Sequence, residues 1–231
     1  MAQTLALTHT SPTLTPLFTS LSAAAMPDVQ LFHMVDESLI KDTIREGYLR
    51  RVTTRRLLAM IDSAQQSGAD AVLVTCSSIG PAVAIGQQIF DVPVIRIDDA
   101  MAEKAVRMGR RIGVAATLRT TLEPTIALLE RKAAEAGRSI DVVDSLCHGA
   151  FEAVLSGDTA THDRILSDAL VNNLQDVDVI VLAQASMARV VQAMPPGMLR
   201  PPVLSSPELA VKQARDVLAS VRTSEMAGAA G

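Results

Sequence analysis

Two stretches of this chain carry the same pattern more than a hundred residues apart. Asp70 is followed by the aliphatic run Ala71 to Val74 and then by Thr75-Cys76-Ser77-Ser78. Asp178 is followed by Val179 to Leu182 and then by Ala183-Gln184-Ala185-Ser186. Each reads as a strand buried on both faces that ends in a small polar turn and opens a helix. Cys76 and Gln184 lie 108 residues apart, Thr10 and Thr117 lie 107 apart, and Pro93-Val94-Ile95 and Pro202-Val203-Leu204 lie 109 apart. A nearly constant offset across three anchors reads as an internal duplication. The expected fold is α/β, with two pseudo-symmetric doubly wound lobes, each holding a roughly four-stranded parallel sheet, and a cleft between them. The expected division is residues 1–100 plus about 206–231 for lobe one, and 101–205 for lobe two.

Composition supports buried parallel strands. Hydrophobic residues make up 48% of the 231, yet there is no Trp, one Tyr and four Phe, so the core must be aliphatic. That scarcity also argues against stacking bases on aromatic platforms. The net charge is −4 without a basic block, which excludes a nucleic-acid role that needs a concentrated positive face. Two cysteines are too few for a disulfide framework, and their context is not that of a metal site. The N-terminus lacks the basic and apolar regions of a signal peptide, and no stretch approaches the ~18 apolar residues of a membrane span. A cytoplasmic protein that does not partner a membrane is the expectation.

Between the anchors, turn and cap signals divide the chain into alternating strands and helices. Asp36–Glu46 reads as a helix stopped by Gly47. Thr53 or Thr54 caps a helix over 55–66. Thr117 to Thr121 reads as a polar turn before a helix over Glu123–Ala136. A last helix spans Pro207–Val221 and crosses back onto the first lobe; the tail Ser224–Gly231 reads as frayed.

Ligands of such folds bind at the carboxyl ends of the strands. The residues there are His9 and Thr10, Asp36 and Glu37, Cys76 to Ser78, Thr117 to Thr121, Cys147 and His148, and Gln184 to Ser186. Cys76 precedes a helix N-terminus, where the helix field lowers a thiol pKa and makes a thiolate available. A thiolate can take a proton from carbon or attack an electrophile. Ser77, Ser78, Thr10, Thr117, Thr121 and Ser186 offer hydroxyl donors that bind a carboxylate and stabilise the enediolate left when its α-proton departs. Turn and cap chemistry accounts for Thr10, Thr117 and Ser186 equally well, and a small buried hydrophobe is the alternative for Cys76. His9 and the Cys147-His148 pair, 111 residues after Asp36-Glu37, are auxiliary candidates for acid–base work. Arg119 and Arg189 are the two cations in the candidate turns.

The strand end Thr-Cys-Ser-Ser and its echo after Asp178 resemble the aspartate/glutamate (hydantoin) racemase superfamily, over nearly the whole chain from Leu5 to Val221. The resemblance implies a cofactor-independent isomerase of the racemase or epimerase kind, or a related lyase, acting on a small carboxylic acid. It implies that Cys76 is the first-lobe cysteine, that Ser77 and Ser78 bind the carboxylate, and that Thr117 and its loop complete the grip. It also implies a homo-oligomer. Racemases of that group use one cysteine from each lobe, whereas the second-lobe position here is Gln184. An amide donates hydrogen bonds but is no acid or base near neutral pH. One-base proton transfer, decarboxylation or cis–trans isomerisation fits that substitution. So does a non-catalytic carboxylate-binding or regulatory protein that has lost its second cysteine.

Overall fold

The computed structural model describes residues 2–229. These fall into two compact units, one built from the chain up to Ile97 together with the segment from Pro207, the other from Asp98–Ser206.

Unit one holds a four-stranded sheet of β1 (Thr4–His9), β2 (Gln30–Val35), β3 (Ala71–Val74) and β4 (Val94–Arg96). All pairs are parallel, in the order β2-β1-β3-β4. Unit two repeats the arrangement with β5 (Arg111–Ala116), β6 (Asp141–Leu146), β7 (Val179–Leu182) and β8 (Val203–Ser205), in the order β6-β5-β7-β8. The registers match as well: Thr8 pairs with Val74 in one sheet and Ala115 with Leu182 in the other.

The echoed aspartates have the same structural task in both sheets. Asp70 accepts the Thr4 N–H at 2.6 Å, while Asp178 accepts the N–H groups of Arg110 and Arg111 at 2.7 and 2.8 Å. Each carboxylate thereby satisfies main-chain donors at the start of the strand beside its own. At the far ends, Thr75 N–H donates to Thr8 O and Ala183 N–H to Ala115 O, both at 3.0 Å. The duplicated sequence pattern is thus a duplicated hydrogen-bond pattern.

Strand alternation divides the core of unit one. Leu5, Leu7 and Leu73 face α1 (Thr15–Ala25) and α10 (Ser206–Ala229), meeting Phe18, Ala210, Val211, Ala214 and Leu218. Ala6, Val72 and Val74 face the other way, toward α2 (Glu37–Glu46), α3 (Arg51–Gln66) and α4 (Gly80–Ile89). The closing helix therefore packs on the first sheet. In unit two, Ala115, Ile180 and Leu182 pack on Ala150 of α7 (Ala150–Leu155), Leu166 and Leu170 of α8 (Thr159–Asn173) and Val190 of α9 (Ala188–Ala193). On the opposite face, α5 (Asp99–Met108) and α6 (Arg119–Glu135) pack on β7 and β5 respectively.

Local signals set most boundaries. Asp36 caps α2 by accepting the Ser38 N–H, and Gly47 ends it in the left-handed region at φ 77°. Three expectations fail. α3 begins at Arg51, so Thr53 and Thr54 lie inside it; Thr53 is buried on its core face rather than capping it. α6 begins at Arg119, so Arg119, Thr120 and Thr121 of the residues read as a polar turn belong to its first turn; Thr121, Leu122, Thr125, Leu128 and Leu129 lie on its buried face. α10 continues through the expected tail to Ala229; the last two residues, Ala230 and Gly231, lie outside the described part. In α3 and α6 helical spacing of buried positions extends the helix past a residue whose side chain could have capped it or broken it off.

Candidate active site

In unit one, β3 ends in extended backbone at Cys76 (φ −137°, ψ 116°), followed by a single 3₁₀ turn over Ser77–Ile79 that runs directly into α4. The strand delivers the thiol to the start of a helix, and Ser77 and Ser78 are buried beside it. Cys76 is a half-buried thiol outside any disulfide, packed against the α3/α4 side of the core. The Thr8 hydroxyl belongs to that same face by strand alternation, is fully buried, and has no hydrogen-bond partner. An unpaired buried hydroxyl costs about 1–3 kcal/mol.

On the opposite face of the strand end, His9 Nδ1 lies 2.7 Å from Thr75 Oγ1 and His9 Nε2 lies 2.8 Å from His33 Nδ1. The two imidazoles stack with centroids 5.1 Å apart, and Phe18 meets His9 at 5.8 Å. Burial, and the charge His33 can carry, lower the His9 pKa to about 4; burial also lowers that of His33.

In unit two, the equivalent turn begins at Gln184, again extended (φ −130°, ψ 136°) and again followed by a 3₁₀ turn, Ala185–Met187. Gln184 Oε1 accepts the Thr117 main-chain N–H at 2.7 Å and the Thr117 hydroxyl at 2.9 Å. The N–H can only donate, so the amide oxygen must face it, and the Gln184 NH2 points elsewhere. Both Thr117 donors are therefore taken up inside the protein by a side-chain carbonyl.

A family model for Asp/Glu/Hydantoin racemases matches residues 8–214. The chain belongs to the Asp/Glu/Hydantoin racemase family. By family it is a racemase-type isomerase, and the two parallel four-stranded sheets are those of its structural neighbours. A glutamate racemase from Francisella tularensis, solved in complex with D-glutamate, superposes with a TM-score of 0.73 at 15% identity, covering 96% of this chain and 82% of that one. An aspartate racemase homologue from Pyrococcus horikoshii superposes at 0.68, with 15% identity over 95% of this chain and 100% of the other. An allantoin racemase from Klebsiella pneumoniae gives 0.63 at 19% identity, over 94% and 88%. No curated protein matches the chain in sequence.

For this racemase-family chain, the structure sorts the residues singled out from sequence. Thr10, Ser77, Ser78, Thr117 and Thr121 are buried at or after strand ends, while Ser186 and His148 are exposed. Cys147 is buried, its Sγ directed at Ser145 O at 3.8 Å, and burial pushes its thiol up to about 11, so it stays neutral near neutral pH. Both candidate cations stand in ion pairs: Arg189 makes a bidentate pair with Asp163 at 2.7 and 2.6 Å, and exposed Arg119 pairs with Glu123 at 3.4 Å. Among the described residues, no three His, Cys, Asp or Glu side chains converge to hold a metal ion, and no helix is long and apolar enough to cross a membrane.

Sequence reasoning missed four contributors. Thr19, His33 and Thr75 complete the histidine cluster. Arg96, only 4% exposed, lays its guanidinium against Gly80 at the first turn of α4, directly after the cysteine turn. The available signal was similar for His33 and Arg96: a polar residue between apolar neighbours, Phe32 and Met34 in one case and Ile95 and Ile97 in the other, which must find a partner or a task where it is withdrawn from water.

Proposed function

We propose that the protein is a cofactor-independent isomerase, or a lyase working through the same intermediate, that acts on a small carboxylic acid with Cys76 as its one acid–base thiol. The observation that carries this reading is the contrast between equivalent turns: a half-buried thiol at the start of α4 in one lobe, and in the other an amide whose oxygen is bonded to Thr117. The Cys76 thiolate takes the α-proton, and the electron pair of the broken C–H bond moves into the carboxylate to form an enediolate. Donors of the Ser77-Ser78 turn stabilise its oxygens. For isomerisation the planar enediolate turns over in the site, and the thiol then delivers the proton to the carbon's opposite face. In the lyase variant, carbon dioxide leaves instead of the proton, the electron pair again enters the remaining carboxylate, and the thiol protonates the carbon. No cofactor enters either step.

The test is incubation of a panel of small carboxylic acids, including D- and L-glutamate and aspartate, in deuterated water. The expected result is α-deuterium incorporation with wild type and none with Cys76→Ala. Activity that survives in Cys76→Ala refutes the thiol mechanism. The Gln184–Thr117 bonds favour one second reading, a carboxylate-binding protein without turnover, because they occupy donors that would otherwise grip a substrate. Ligand-induced stabilisation across the panel without exchange or carbon dioxide release would establish it.

A further inference from the structure

Lobe one carries polar groups that its duplicate lacks. By the shared register, the counterparts of His9, His33 and Thr75 are Ala116, Asp144 and Ala183. The histidine cluster is thus specific to the lobe that holds the half-buried thiol.

The chemistry of the partners fixes the direction of its hydrogen bonds. Thr75 Oγ lies 3.2 Å from Thr8 O, a carbonyl that can only accept, so the hydroxyl donates there. Thr75 Oγ must then accept from His9, which places a proton on His9 Nδ1. Neutral His9 offers its Nε2 lone pair to a proton on His33 Nδ1. At the outer end, His33 Nε2 lies 3.1 Å from Thr19 Oγ1, which itself lies 2.9 Å from Thr15 O. While Thr19 donates to that carbonyl, His33 Nε2 must also carry a proton, and the ring is the cation. When the proton leaves, the Thr19 hydroxyl turns to donate to His33 Nε2. Both states are fully hydrogen-bonded, and nothing changes at His9 or Thr75.

We infer that His9 and His33 form a positioning pair for the Cys76 turn, taking up one proton at His33 while His9 stays neutral and holds Thr75 through its Nδ1–H. The inference rests on Cys76 being the reactive group of lobe one. Thr19 is exposed and His33 half-buried, so the proton enters at the surface; His9 and Thr75 are buried. The elements packed on the pair present Phe18 and Thr19 from α1 and Thr75 from β3. Asp36, the carboxylate following β2, is turned to Ser38 and Arg56. On α10, Glu208, Lys212 and Arg215 line a groove with Leu21, Ala24 and Ala25 of α1, beyond the Phe18 contact. A proton on His33 is therefore a positive charge linked by two hydrogen bonds to the residue before Cys76, where a cation favours the thiolate.

The test has two arms. Long-range 1H–15N imidazole spectra of labelled protein, assigned by the signals lost in His33→Gln, are recorded from about pH 7.5 to 4.5. His9 is expected in the Nδ1–H tautomer throughout the range in which His33 titrates. A His9 protonated on Nε2, or charging before His33, overturns the inference. In a Cys147→Ser background, the log rate of Cys76 alkylation by iodoacetamide is expected to fall with less than unit slope below about pH 6.5, and with unit slope in His33→Gln. Superposed profiles overturn the coupling to the thiol. A Cys76 that never reacts refutes the catalytic reading instead, and the spectra still decide the pair.

Discussion

Gly80→Ala is a sharp test of the packing behind the cysteine turn, because backbone preference and packing predict opposite signs. Gly80 has helical angles (φ −53°, ψ −36°) that alanine adopts readily. At an open helical site the substitution would stabilise by about 0.4–1 kcal/mol through the unfolded chain. Here a Cβ would overlap Nε, Cζ and Nη2 of Arg96, all three in one rigid plane and nearly all of it buried. Overpacking of this kind costs about 1–3 kcal/mol. Moving a buried guanidinium away from the partners it has in the fold adds about 1.5–3 kcal/mol. Set against the backbone gain, the net destabilisation is about 2–5 kcal/mol, or a fall of about 5–15 °C in melting temperature for a chain of this size. Calorimetry measures it directly. A double-mutant cycle with Arg96→Ala isolates the cause: in that background Gly80→Ala should become neutral or stabilising. A Gly80→Ala protein that melts at or above the wild-type temperature refutes the argument.

Other expectations follow from individual contacts. Phe18 is fully buried between sheet one, α10 and the His9 ring, so Phe18→Ala should destabilise by about 3–5 kcal/mol in urea unfolding. Thr117→Val removes one of the two donors to Gln184 Oε1; it should cost about 1 kcal/mol and leave α-deuterium exchange by Cys76 in place. The His9 pKa is lowered from 6.5 to about 4 in the folded protein, so the unfolded chain binds more protons between those values. Stability should accordingly be complete above about pH 6.5 and fall as the pH drops toward about 4, a slope that calorimetry across that window would detect. Arg189 beside Asp163 holds that carboxyl down at about 2, with a further hydrogen bond from His162. Its contribution is present above the ordinary carboxylate range and lost as pH falls toward about 2; Asp163→Asn should flatten that acid limb.

Much of the architecture was legible in the chain because its signals are local or repeated. Aliphatic runs of four residues are too short for helices and too apolar for half-exposed strands, so they marked the inner strands β3 and β7. The Asp–strand–turn echo announced a duplicated unit, and the parallel sheets show why the aspartates recur: each collects main-chain donors at the start of the neighbouring strand. The strand ends could be named in advance because a parallel strand always delivers its last residues to the same edge of the sheet.

What each of those residues does there was a matter of tertiary structure. Cys76 and Cys147 are both cysteines after strands, yet one lies half-buried at a helix start and the other is buried until its thiol titrates at about 11. Gln184 could be read as a missing base; only the folded chain turns its oxygen onto both donors of Thr117, 67 residues away. His9 had a neighbour 24 residues on in His33, and Thr75 at 66 residues, that no local pattern joins. Periodicity and turn chemistry report on neighbours within a few residues, so the sequence by itself determined the strands, the helices and their doubling. Direction of a hydrogen bond, burial of a charge and the burial that keeps the Cys147 thiol neutral depend on atoms brought together across the sheet, and those only the tertiary structure decided.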